Sequence, residues 1–176
     1  MAYFYNFPVI PYDSFGDGNF SLVTNILRRV GLRTKVKSNK LFFDTYDVKE
    51  GETPESLADK LYGDPELHYV ILMVNDITDR YHQWPKTTPQ FLQYLSDKYT
   101  NPDGIHHYEI TQNWGDKSKK INIGTDNTDY PSSTPITNRE YEQEEEDKSR
   151  RIRLLVPEYL STFVEEFNSL IGESTL

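Results

Sequence analysis

The chain has 176 residues, a formal net charge of −9 at pH 7 and no cysteine. The absence of cysteine excludes disulfides and thiolate metal sites, and the acidic balance argues against a general nucleic-acid-binding surface. No apolar run reaches the roughly 18 residues that a transmembrane helix needs. The first residues lack the basic region and long apolar run of a signal peptide. From the charge and from these patterns, we expect neither nucleic acid nor membrane as a partner.

Residues 1–19 are predicted to form an extended N-terminal arm. Tyr3, Phe4, Tyr5 and Phe7 make this arm strongly aromatic, and an arm so apolar must be buried on its own core or on a neighbouring chain. We expect these four residues to contact another subunit rather than to pack solely on their own domain. The aromatic content of 14% leaves two interpretations open, aromatic-rich interfaces and a tyrosine-rich core.

Two short elements are predicted after the arm. Residues 21–30 carry apolar side chains at helical spacing and predict a short amphipathic helix that ends at Gly31. Residues 34–38 alternate between polar and apolar side chains and predict a strand.

Residues 46–75 predict a strand, a helix and a second helix joined by tight turns. A polar cap and a proline precede each helix, with the prolines at Pro54 and Pro65. Gly63 is placed to end the first helix. The predicted core of this segment consists of Leu57, Ala58, Leu61, Val70, Ile71 and Val74.

The same segment carries a motif at fixed spacing. The motif residues are Val48, Gly51, Thr53, Pro54, Ala58, Tyr62, Gly63 and Asn75. With Glu52 in place of the usual Asp and Leu57 in place of the usual Ile, the segment resembles the LysM module. That resemblance implies a strand-helix-helix core that is completed by a short second strand. LysM modules bind N-acetylglucosamine glycans in shallow grooves beside their turns.

The next part of the chain predicts a third helix and a hairpin. Thr88-Pro89 gives the third helix the same cap-and-proline signal as the first two. Residues 105–123 predict a β-hairpin whose turn contains Gly115-Asp116-Lys117.

The end of the chain changes from polar to amphipathic. Residues 124–137 predict a loop, and a helix over 138–149 would be so polar that it would be solvent-exposed or would bridge to a partner. We expect residues 124–149 to be the least ordered part of the free protein. The last residues predict a strand and a strongly amphipathic helix that starts near Pro157.

These elements predict an α+β fold, in which a LysM-like core is followed by an added helix, a β-hairpin and a C-terminal strand-helix. The predicted parts are an arm over 1–19, a LysM-like core with flanking helices over 20–100, a hairpin with a polar loop or exposed helix over 101–149, and a strand and helix over 150–176.

No convergent set of catalytic groups is visible. His106 and His107 are adjacent, so on a strand they should point to opposite faces and should not chelate one ion together. Asp13, Asp17 and Asn19 flank glycines, but their spacing differs from that of an EF-hand, so an ordinary turn is favoured. We expect no catalytic residue, no metal and no cofactor, although a converging carboxylate pair of the glycosidase type stays open.

Residues beyond the LysM motif carry a second resemblance. They are Tyr46, Glu55, Leu67, His68, Val70, Ile71, Asp76, Ile77, Trp84, Pro85, Lys98 and Tyr99. Through them, together with Glu52 and the motif residues named above, residues 20 to 100 resemble the LysM-like baseplate wedge proteins of T4-like contractile-tailed bacteriophages. Tyr69 stands where that family often carries Trp, and Arg80 where it often carries Pro.

The second resemblance implies a non-enzymatic, structural role in the virion. Members of that family join wedge subunits and adjacent wedges of the tail baseplate, and assembly takes place in the host cytoplasm. The implied partners are other wedge subunits, neighbouring wedges or the hub. Trp84 and Pro85 join the four arm aromatics as the candidate partner interface. The alternatives are a LysM-type glycan-binding module, which predicts an open groove beside the Gly51 turn, and a cell-wall hydrolase.

Overall fold

The structure, a computed structural model, describes residues 3–112, 114–116 and 118–172. The chain folds into two compact units, and the second unit is inserted into the first. The first unit contains Met1–Asp47, Glu52–Gln83 and Ile152–Leu176, and the second contains Val48–Gly51 and Trp84–Arg151. The mixture of helices and strands confirms the predicted α+β class.

The first unit contains a hairpin near the N-terminus, four helices in the middle of the chain's first half, and the last strand and helix. Its elements are β1 (Val9–Tyr12), β2 (Ser21–Thr24), α1 (Thr34–Lys37), β3 (Phe43–Asp47), α2 (Pro54–Tyr62), α3 (His68–Val74), α4 (Arg80–Gln83), β7 (Arg151–Leu155) and α7 (Leu160–Gly172). Strands β1 and β2 form one two-stranded sheet, and β3 and β7 form another.

The second unit is built on a three-stranded antiparallel sheet. Its elements are α5 (Thr88–Lys98), β4 (Ile105–Thr111), β5 (Lys120–Gly124), β6 (Thr134–Thr137) and α6 (Asn138–Arg150). The sheet order is β5-β4-β6. The predicted hairpin is therefore confirmed as β4 and β5, although Lys117 of its turn lies outside the described residues.

The core of the first unit lies where the motif predicted it. Leu57 and Ala58 on α2 are fully buried, as are the three predicted core residues of α3. Leu61 is only half-buried, because it lies towards the edge of the buried face of α2. A second apolar cluster joins Phe7 to Phe167 and Ile171 of α7.

All three predicted prolines lie in the first turn of a helix. Pro54 opens α2, where Thr53 and Ser56 exchange the two hydrogen bonds of a capping box. Pro65 opens a 3₁₀ turn that leads into α3. Pro89 lies in the first turn of α5, whose N-cap is Thr87 rather than the predicted Thr88.

Two predicted elements are wrong in type. The segment predicted as a helix over 21–30 begins with β2, which pairs with β1 through Val9↔Thr24 and Tyr12↔Ser21. An amphipathic helix would be stabilised only if another surface covered its apolar face. Strand β2 is stabilised instead by backbone hydrogen bonds with β1. Residues 34–37 form a single helical turn instead of a strand, because β3 pairs with β7 and not with this segment.

The segment expected to be least ordered, 124–149, contains two regular elements. Strand β6 adds a third strand to the hairpin by pairing with β4. Helix α6 starts at a capping box between Thr137 and Glu140, a signal that the sequence contained in the spacing T-x-x-E. The loop predicted over 124–137 is therefore wrong for residues 134–137, whereas the low order expected for 124–149 in the free protein stays a prediction.

Candidate protein-protein interface

The N-terminal hairpin, defined as residues 8–25, exposes an unusual amount of apolar surface. Ile10 and Val23 face each other across the two strands and are half-buried. The large apolar side chains that remain exposed are Val9, Tyr12, Phe15, Phe20 and Leu22, with exposed fractions of 57, 54, 88, 69 and 78%. So many large apolar side chains exposed within one short hairpin make it a candidate interaction surface.

The loop of the hairpin is held in shape by one carboxylate. Asp13 accepts hydrogen bonds from the backbone N–H groups of Phe15, Gly16, Asp17 and Gly18, at 3.2, 2.7, 3.3 and 2.9 Å. These bonds, chiefly the one from Gly18, lower the pKa of Asp13. The predicted turn is thus confirmed, and because the Asp13 carboxylate orders the loop backbone, Phe15 is presented to solvent on an ordered loop.

The predicted arm residues divide between the interior and the surface. Phe7 is 5% exposed, and Tyr3 is half-buried with its ring centroid 4.9 Å from that of Tyr69. Phe4 and Tyr5 are 54% and 79% exposed. Phe7 therefore stabilises its own unit, while Phe4 and Tyr5 expose further apolar surface to solvent.

The contacts of the arm with α7 correct one expectation of the sequence. Asn6 donates a hydrogen bond to Asn168 at 2.8 Å, and Phe7 belongs to the cluster of Phe167 and Ile171. Burial raises the pKa of Tyr3, which the nearby Arg29 partly offsets. Removal of the arm is consequently expected to destabilise the isolated chain. The expected contact of Phe7 with another subunit is wrong, because Phe7 is buried in its own unit.

Sequence reasoning missed the exposed strand residues because it assigned β2 to a helix. The signal was present in the two short runs VIPY and SLVT, which contain β-branched and aromatic residues and flank a segment with Gly and Asp. Such a pattern is typical of a β-hairpin.

The remaining predicted interface residues lie in the second unit. Trp84 is 7% exposed and Pro85 is half-buried. Trp84 therefore lies in the interior of its unit and offers little surface to a partner.

The LysM-type motif residues have structural roles. Gly51 and Gly63 have positive φ, at +77° and +71°, and Ala58 is fully buried. The Tyr62 hydroxyl donates a hydrogen bond to the Leu155 carbonyl at 3.0 Å, which ties the end of α2 to β7. In the second unit, the Val48 N–H donates to the Arg150 carbonyl at 2.9 Å.

Asn75 links α3 to β7 through its side-chain amide. Its Nδ2 donates to the carbonyls of Ile71 and Arg153, each at 2.8 Å. Its Oδ1 accepts from the Arg153 N–H, also at 2.8 Å. The amide therefore behaves like an extra strand residue beside β7 and satisfies both backbone groups of Arg153.

We expect Asn75→Ala to lower the free energy of unfolding by about 1–3 kcal/mol, because both backbone groups of Arg153 lose the hydrogen bonds of the Asn75 amide. Urea unfolding followed by circular dichroism measures the change. Asn75→Asp keeps the acceptor for the Arg153 N–H but loses both donated bonds, so it is also expected to be destabilising. An unchanged unfolding midpoint in Asn75→Ala would contradict this role.

Helix α6 of the second unit contributes two buried carboxylates. Glu142 and Glu146 are each 6% exposed. Glu142 accepts hydrogen bonds from Lys98 Nζ at 2.7 Å, from the Tyr99 hydroxyl at 2.7 Å and from the Tyr94 hydroxyl at 3.1 Å. The predicted exposed or partner-bridging helix is thus wrong for this face of α6, which fastens the helix to α5.

Glu142 should make stability depend on pH. Burial by itself would raise the pKa of Glu142, but the hydrogen bonds from Lys98 and Tyr99 outweigh burial and lower the pKa. A lowered folded-state pKa gives stability that is present above the unfolded pKa, about 4.3, and that is lost as pH falls through the folded pKa. We expect the stability difference between wild type and Glu142→Gln to be largest near pH 7 and to shrink below about pH 4.

Unfolding free energies measured from pH 7 to pH 3 test that expectation. Glu144→Gln is the matched control, because its side chain on the same helix is 60% exposed. A difference between wild type and Glu142→Gln that stayed constant across the range would show that the Glu142 charge does not stabilise the fold.

The two adjacent histidines of β4 do not point to opposite faces as expected. A register shift in the pairing of β4 with β6 falls between Ile105 and His107, and the Nδ1 atoms of His106 and His107 are 2.8 Å apart. His107 Nε2 lies 3.3 Å from Glu109 Oε1, and the His106 ring stacks on Tyr141 at 4.0 Å. The irregularity removes the strict alternation on which the prediction relied.

Within the described ranges 3–112, 114–116 and 118–172, no group of three or more metal-ligating side chains is placed to hold an ion. No helix among the same residues has the length and apolarity needed to cross a membrane.

Comparison with known proteins gives two matches. A family model described as base plate wedge protein 53 matches residues 17–170. The baseplate wedge protein gp53 of Enterobacteria phage T4 is 36% identical over 87 residues, which are 49% of this chain and 43% of that protein. The matching part thus spans less than half the length of this relative, whereas the family model covers most of the chain.

Proposed function

This chain belongs to the base plate wedge protein 53 family, and on that premise we propose that it is a structural, non-enzymatic subunit of a contractile phage tail baseplate wedge. The match of the family model to residues 17–170 is the observation that carries the proposal. The T4 relative is described as a baseplate wedge protein, so the proposed location is the tail baseplate of a virion, with assembly in the host cytoplasm.

The proposed partners are other wedge subunits, and the N-terminal hairpin is the proposed contact. Its exposed residues include aromatic side chains, which are enriched at the centres of protein interfaces. A two-stranded hairpin is only marginally stable on its own. Burial against a partner would remove its apolar side chains from water and stabilise it.

We further propose that the first unit has a LysM-like core. Strand β3 is followed by α2 and α3, and β7 supplies the second strand that a LysM module needs. The Asn75 amide and the Tyr62 hydroxyl hold β7 in place. In this interpretation the second unit is a long insertion between the last helix of the LysM-like core and its closing strand.

Reconstitution with the other wedge subunits of the same phage tests the function. The purified chain is mixed with those subunits, and we expect it to elute with them as one complex in size-exclusion chromatography. In parallel, isothermal titration with chitotetraose tests the glycan-binding alternative, for which we expect no heat of binding at millimolar concentration. Elution of the chain alone together with micromolar sugar binding would favour the glycan function instead.

A further inference from the structure

The segment after the hairpin differs in charge from the rest of the chain. Residues 18–43 contain six Lys or Arg residues and no Asp or Glu, in a chain with a net charge of −9. Only Lys37 is paired, with Asp76. The other five cations form no ion pair with any residue that the structure describes; they are Arg28, Arg29, Arg33, Lys35 and Lys40.

The same segment lines an apolar groove in the first unit. The groove runs between residues 30–36 and the helices α3 and α7, and its lining includes Val30, Leu32, Val36, Met73, Phe163 and Phe167. Arg33 and Glu166 also line the groove, and Leu170 of α7 lies on its wall with 43% exposure. A neighbouring depression of about 520 Å³ shares Val30 and Met73 with it and has Arg29 on its wall.

We propose that this basic groove, defined by Arg29, Arg33 and the apolar lining between α3 and α7, binds an acidic segment of another wedge subunit that carries large apolar side chains. The inference rests on the proposed function and adds the chemistry of the partner to it. The argument for the occupant is that the five unpaired cations of residues 18–43, among them Arg33 in the groove lining, outnumber the Glu166 carboxylate that lines the same groove. An excess of positive charge attracts and orients a negative segment. The apolar floor supplies most of the affinity through burial.

Other occupants fit the groove less well. A nucleic acid would leave the apolar floor without a matching surface and would meet a chain with a net charge of −9. A second copy of this chain would have to place an acidic face of its own in the groove. Because every copy exposes the same groove, this occupant predicts self-association at micromolar concentration. Both occupants are outcomes that the experiment separates.

Photo-crosslinking within the reconstituted wedge complex tests the proposal. The crosslinking amino acid p-benzoylphenylalanine is placed at Leu170, on the groove wall, and in a matched control at Leu92, which lies on α5 with 50% exposure. We expect Leu170 to capture a peptide of another subunit that contains both acidic and large apolar residues. Capture of a basic peptide, of a second copy of this chain, or of nothing in the assembled complex would overturn the proposal.

Charge reversal gives a second, independent readout. Arg29→Glu/Arg33→Glu is compared with Lys49→Glu/Lys119→Glu, which makes the same change of charge at exposed positions in the second unit. We expect Arg29→Glu/Arg33→Glu to weaken association with the wedge about tenfold or more and to remove most of the salt dependence of that association. The control variant is expected to change neither the affinity nor its salt dependence much. Equal effects of the two pairs would overturn the proposal.

The result also separates this inference from the proposed function. If wild-type protein fails to elute with the wedge subunits, the function itself is wrong. If it elutes with them but the groove variants behave like their controls, only the groove inference fails. Binding of a 30-base-pair DNA duplex that disappears in Arg29→Glu/Arg33→Glu would assign the groove to nucleic acid and overturn the proposal.

Discussion

Replacing Phe15, Phe20 and Leu22 by serine is expected to weaken association with the other wedge subunits by at least about 100-fold, because aromatic and large apolar anchors dominate interface energetics. The three side chains are 88, 69 and 78% exposed, so their removal should leave the unfolding of the isolated chain almost unchanged. Association is measured by the fraction of chain that elutes with the reconstituted complex over a range of concentrations.

The control for this prediction is a second triple variant of exposed apolar residues. Leu92→Ser, Ile121→Ser and Tyr130→Ser change side chains that are 50, 44 and 50% exposed in the second unit. We expect this variant to join the complex as wild type does. A hairpin variant that still joins the complex with normal affinity would show that the hairpin is not the contact, and one that melts far below wild type would show that these residues belong to the fold.

Leu57→Ala is expected to lower the free energy of unfolding by about 2–5 kcal/mol, since the change leaves a cavity in a well-packed core. Leu57 is fully buried on α2 and lies one turn after the Thr53 cap. Because small domains are stable by only about 5–15 kcal/mol, the variant should lose much of its resistance to urea. Unfolding in urea followed by circular dichroism measures the loss.

Leu61→Ala is the matched control on the same helix. Leu61 is half-buried, so less apolar surface returns to water and a smaller cavity forms. We expect a cost of less than about 2 kcal/mol. Equal costs for the two variants would mean that the burial of Leu57 does not decide the stability of this core.

Residues 46–75 were predictable because their signals are local. Each helix begins with a polar cap and a proline, and glycine at positive φ ends α2 at Gly63. These signals act within a few residues of the chain, so they do not depend on the tertiary structure. The buried residues of α2 and α3 followed from helical spacing alone.

The N-terminal hairpin was missed because the pairing of β1 with β2 was not recognised from the sequence. Residues 21–30 have helical spacing, yet β2 takes its hydrogen bonds from β1. The apolar side chains of Leu22, Ile26 and Leu27 are exposed. A pattern that assumes burial of one helical face therefore predicts the wrong element where, as here, the apolar residues stay exposed.

The buried carboxylates of α6 were missed because their partners are distant in sequence. Glu142 meets Lys98 and Tyr99, more than forty residues earlier in the chain. In sequence, its neighbourhood is a run of acids that is more often solvated. The β4 histidines were misplaced for a related reason, because a register shift at Ile105–His107 leaves no signal in the residue types.

The most direct measurement of the central claim is the content of this chain in purified phage tails. Tails are isolated from a phage whose own copy of the gene has been replaced by an affinity-tagged copy, and each subunit is quantified by mass spectrometry. Our account predicts that the chain is present at a fixed ratio to the other wedge subunits and that the Phe15/Phe20/Leu22 serine variant is absent or strongly depleted. Infective phage whose complete tails lack this chain would contradict the claim that the chain is a structural subunit of the wedge.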